Sequence, residues 1–97
     1  MRTGKEILEK IKRERYHEWK DSITEATKIL SAVSEEMYES NIIEKTIYAN
    51  DIKDKISEEL FAKAIEETSV KQWLEYNSFY LIGNGSESHS WTLKVME

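Results

Sequence analysis

The chain has 97 residues, 34% charged and 39% hydrophobic, with a formal net charge of -5 and neither cysteine nor proline. That length makes one domain with a modest core, too short for a cleft framed by two lobes, and an aromatic content of 10% is too high for a chain that stays disordered. The missing cysteines exclude a disulfide framework, a thiolate zinc site and a cysteine nucleophile, while the lack of a long apolar run or signal-peptide core leads to the expectation of a cytoplasmic protein without membrane contact.

After Gly4 the next glycine is Gly83, so the interior is unpunctuated and reads as largely helical. Caps must then mark the boundaries. Thr3 with Glu6, and Ser22 with Glu25, have capping-box spacing, and the second pair either opens a new helix or lies inside a longer one. Tyr16, Trp19, Ile23, Ala26, Leu30, Val33 and Met37 follow alternating steps of three and four. That spacing favours one helix from about Lys5 to Glu39 over a helix pair within residues 1–40. The same seven residues form a seam, for packing on the domain itself or for self-association into a homodimer.

The Ser40-Asn41 break precedes Thr46-Ile47-Tyr48, a β-branched and aromatic run suited to a first strand. Asn50 or Asp51 can cap a short helix carrying Ile52 and Ile56. Ser57 caps the next, whose Leu60, Phe61, Ala64 and Ile65 share one face; Ser69 opens a further turn bearing Val70, Trp73 and Leu74, or one helix runs from Ser57 to Asn77. From Phe79 the period becomes two. Phe79–Ile82 and Trp91–Val95 make a half-buried hairpin around GNGSESHS, with Trp91, Leu93 and Val95 inward and Asn84-Gly85 supplying the positive backbone dihedrals of a turn. Trp19, Trp73 and Trp91 each fall on an apolar face and are expected in the core.

The expected fold is therefore mainly α with a small β-sheet: a long N-terminal helix followed by a unit over residues 46–96. Short strand, two helices and hairpin, in that order, resembles the winged helix-turn-helix superfamily. The resemblance implies DNA binding, with Lys63, Lys71, Gln72 and Asn77 from the helices and Asn84, Ser86, Ser88 and His89 from the hairpin tip as contacts. The chain departs from that pattern in its charge. Glu58, Glu59, Glu66, Glu67 and Glu75 stand against only Lys63 and Lys71, and Glu87 sits at the tip, whereas phosphate contacts need Lys and Arg.

Charge is also uneven along the chain. Residues 1–20 carry seven Lys/Arg and four Glu (+3), and residues 21–97 seven Lys and fifteen Asp/Glu (-8), which sum to -5. Arg2, Lys5, Lys12, Arg13 and Lys20 fall on one side of the first helix, a second route to nucleic acid for a dimeric DNA-binding regulator. The five glutamates instead suit a protein partner with a basic groove, as in an inhibitor or nucleic-acid mimic. Size and composition are compatible with a phage or mobile-element accessory protein. His17 and His89 lie in different elements, and no phosphate loop, nucleophile elbow or zinc-protease motif is present, so neither catalysis nor a metal or cofactor is expected. Asn84-Gly85-Ser86 matches a glycosylation sequon and is read as the turn itself.

Overall fold

The computed structural model describes residues 2–85 and 87–96, and the side chains of all of these except 15–18. Helix α1 spans Gly4–Ser40, so Ser22 lies inside it and the long-helix reading holds. Thr3 caps its start, the Oγ1 accepting from the Glu6 amide at 3.2 Å; the Glu6 carboxylate turns outward to Arg2, 3.3 Å away. Asn41 stops the helix in the left-handed region at φ 55, and the Ile42 amide donates back to the Met37 carbonyl at 3.1 Å, closing carbonyls that a helix end leaves free.

Strand β1 (Glu44–Tyr48) leads directly into α2 (Ala49–Ile52). The Asn50 or Asp51 cap is corrected here: the helix begins at Ala49 with no side-chain cap, because the Ala49 amide donates to the His89 carbonyl at 2.8 Å. Ile56 lies beyond α2, buried in the following turn. Helix α3 (Glu58–Ala64) starts where the sequence placed it, with the Leu60 amide on Ser57 Oγ at 3.2 Å. It ends at Ile65, and α4 runs over Thr68–Tyr76. A single helix to Asn77 would not work: at about 100° per residue, Phe61 with Ala64 and Val70 with Leu74 would point about 130° apart. All four are buried in one core, so the backbone must turn between them.

Strands β2 (Phe79–Gly83) and β3 (Ser90–Val95) complete an antiparallel sheet in the order β1-β3-β2. Ile47 lies opposite Trp91, and Leu81 opposite Leu93. One face is inward: Trp91 and Leu93 are buried, and Phe61 meets Trp91 edge-on with ring centroids 4.7 Å apart. The other face carries Thr46 against Thr92 at 3.3 Å and Lys94 against Glu44 at 3.3 Å. Trp91 is a core residue as expected, but Trp19 and Trp73 sit at the core's edge, half-buried, with Trp73 stacked on Phe79 at 6.2 Å. In the hairpin the positive dihedrals belong to Gly85 (φ 97) and His89 (φ 49), not to Asn84.

Helix α1 divides into two halves. Ala26, Leu30 and Met37 of the expected seam are buried against α1's own domain, with Trp19, Ile23 and Val33 packed at the margin; Tyr16 lies outside the described side chains. Those buried positions are therefore occupied by intramolecular packing. Residues 2–14 are exposed throughout. The radius of gyration is 16.1 Å against about 12.5 Å for a compact chain of this size, and the longest extent is 60 Å, close to the roughly 55 Å length of a 37-residue helix. The first half of α1 projects as an arm from a small body.

Candidate functional site

The five glutamates read as one acidic surface are distributed by the α3-α4 turn over three places. Glu59, Glu66 and Glu67 line a groove with Trp19, Ala62 and Lys63, where α1 leaves the body. Glu58 faces the hairpin instead, its Oε1 2.6 Å from His89 Nδ1. Glu75 shares a shallow depression with Ser69, Gln72, Trp73 and Tyr76 on α4. One of the three places is a half-buried indole rimmed by three carboxylates.

The lysines nearby are paired. Lys63 lies 3.4 Å from Glu59, and Lys71 lies 3.0 Å from Glu66. Both pairs are exposed, so each contributes little to stability and its members can exchange partners readily. Their effect on the field persists: three carboxylates against Lys63 and Lys71 leave the groove side of the α3-α4 segment net negative. Helix α4 alone is neutral, with Lys71 and Glu75 its only charged residues.

Four of the eight contacts implied for DNA from the helices and hairpin tip are hydrogen-bonded within the protein. Asn77 caps α4, its Nδ2 donating to the Trp73 carbonyl at 2.8 Å. Asn84 Nδ2 folds back onto the sheet, donating to Thr92 Oγ1 at 2.9 Å and Ser90 Oγ at 3.2 Å. Ser88 Oγ donates to the Gly85 carbonyl at 2.8 Å, and His89 ties the hairpin loop to Glu58 of α3. Ser86 lies outside the described residues. Gln72 remains outward and exposed on α4. On the arm, Lys5, Lys12, Arg13 and Lys20 are exposed, and Arg2 is held by Glu6.

The Trp19 groove was not read from the sequence, although a signal was there. Ser22, buried on the core-facing side of α1, is a polar residue that interrupts the apolar stripe between Ile11 and the body. That interruption marks where the body ends and Trp19 becomes its rim. Tyr76, 89% exposed at the end of α4, was likewise missed, because periodicity does not distinguish the last turn of a helix from its middle.

Among the described residues no group of three or more His, Asp or Glu side chains is placed to hold a metal ion, and no helix is long and apolar enough to cross a membrane. Comparison with protein-family models, with characterised proteins and with solved structures finds no match to this chain.

Proposed function

We propose that this chain is a cytoplasmic, non-enzymatic binding protein of winged-helix-like architecture, acting as a regulator or inhibitor by engaging a protein partner at the Trp19 groove. The observation that carries the reading is the groove itself: a half-buried aromatic side chain within a rim of Glu59, Glu66 and Glu67. Aromatic anchors in partly desolvated settings supply most of the energy of protein interfaces, and the surrounding charge selects the partner. The complementary ligand is a basic segment that presents an apolar side chain. Phosphate is a poor ligand for the same face, since neutralising it would require cations beyond Lys63 and Lys71.

A second reading, a dimeric winged-helix DNA-binding regulator, is supported by the placement of α3 and α4 between β1 and a β2-β3 hairpin, and by the neutral, outward face of α4 with Gln72.

One titration separates the two readings. The three tryptophan indole N–H resonances are followed while an amphipathic Lys/Leu peptide, its Glu/Leu counterpart and a mixed-sequence DNA duplex are added in turn at low salt. Protein binding at the groove moves the Trp19 signal with the lysine peptide only. Salt-sensitive shifts in α4 with the duplex, and a silent Trp19, would instead establish the DNA reading.

A further inference from the structure

We infer that the occupant of the Trp19 groove is the arm of a second copy of this chain, paired antiparallel about a two-fold axis, so that each arm fills the other's groove. The inference rests on the reading of that groove as a protein-binding site and names its partner.

The arm carries an apolar stripe of Ile7, Leu8 and Ile11, which remain 51%, 52% and 39% exposed. At about 100° per residue these three span an arc that overlaps the arc of Ala26, Ile29 and Leu30, so the stripe continues the body-facing side of α1 past the end of the body. A helical segment of this length has little stability alone in water, and covering its stripe would stabilise it.

Charge and spacing select the occupant. Lys5, Leu8, Lys12 and Trp19 lie along one edge of the stripe, and Lys10 and Glu14 along the other. In an antiparallel pair related by a two-fold axis, like edges meet. With Lys12 level with its own copy, Lys10 comes level with Glu14 of the second copy, twice over. The same register brings Lys5 level with Trp19 of the second copy, beside Glu59, Glu66 and Glu67, and sets Leu8 within about one turn of that indole. The two Ile11 side chains straddle the axis. Gly4 comes level with Lys20, so the overlap runs along the helix from its first residue to the level of Trp19.

Two helices overlapped along about 25 Å form a strip about 10 Å wide. That is short of the roughly 800 Å² per partner of a stable interface. The dimer is therefore a reversible one, and Lys12, which faces its own copy at the solvent edge, weakens it further.

Sedimentation velocity from about 10 μM to 1 mM at low salt tests the pairing. The unaltered chain should show a reversible monomer-dimer equilibrium, with the Trp19 indole resonance moving as the dimer forms. Ile11→Asp, which sets two carboxylates together at the axis, should weaken association about a hundredfold, a loss of two factors of ten in the constant. The groove variant Glu66→Lys/Glu67→Lys and the arm variant Lys5→Glu should each be monomeric alone, with sheet amide resonances unchanged as evidence of folding. Mixed in equal amounts, these two should dimerise, because both grooves of the heterodimer then face an arm of opposite charge.

A chain that stays monomeric at every concentration, a dimer that survives Ile11→Asp or the charge reversals, or a mixture that does not associate would overturn the inference. A monomer whose Trp19 still responds to the Lys/Leu peptide would overturn self-pairing and leave the protein-binding reading standing. A silent groove in the Ile11→Asp monomer would remove both.

Discussion

Two substitutions of the same kind on the same helix, Ile29→Ala and Ile11→Ala, test the division of α1 into arm and body. Ile29 is 4% exposed in the core, whereas Ile11 is 39% exposed on the arm. Truncating a buried isoleucine removes its transfer free energy and leaves a cavity, together about 2 to 5 kcal/mol. A domain of this size loses about 4 to 8 °C in midpoint per kcal/mol, so a cost of about 3 kcal/mol lowers the melting temperature by roughly 12 to 24 °C. Ile11→Ala opens no cavity within the monomer, and alanine is the better helix former, so the dilute protein should melt within about 2 °C of the parent. Thermal unfolding followed by circular dichroism at about 5 μM measures both. At a hundredfold higher concentration, Ile11→Ala should also lose whatever concentration-dependent gain the parent shows. Equal destabilisation by the two substitutions at low concentration would refute the reasoning, since Ile11 would then have to be packed against the body.

Two further outcomes follow from the caps and the hairpin. Glu67 stands at the N-cap of α4 in extended geometry (φ -68, ψ 142) with no side-chain cap bond. Glu67→Asp should supply that bond and raise stability by about 1 kcal/mol in urea unfolding, with the groove's charge retained; an unchanged midpoint would show that the α3-α4 turn bars the shorter carboxylate from the free amides. Asn84→Ala removes the hydrogen bonds to Thr92 and Ser90 and should cost about 1 to 2 kcal/mol while leaving any duplex binding untouched. Loss of duplex affinity in that variant without loss of stability would return Asn84 to the set of DNA contacts.

The local signals of the sequence were sufficient wherever one element's own chemistry decided the outcome. Thr3 and Ser57 cap the helices they were expected to cap, and the change of period at Phe79 marked the hairpin. Asn50 and Asp51 are good cap residues on any propensity scale, yet α2 starts earlier, since the His89 carbonyl, distant in sequence, takes the Ala49 amide. The break between α3 and α4 could have been read from the 130° disagreement between Phe61 with Ala64 and Val70 with Leu74, had the two stripes been required to face one core.

The candidate site was less legible, because it is made by where elements end against one another. By itself the sequence determined a small helical domain with a C-terminal hairpin, a basic head on an acidic body and an apolar stripe along the first helix, since composition and periodicity carry all of these directly. Only the tertiary structure decided that Trp19 shares a groove with α3, that the five glutamates divide among three places, that Asn84 bonds to Ser90 and Thr92 and His89 to Glu58, and that the stripe of α1 is half core and half arm. Periodicity records which side of a helix is apolar; how far the body extends along that side depends on the packing of residues distant in the chain.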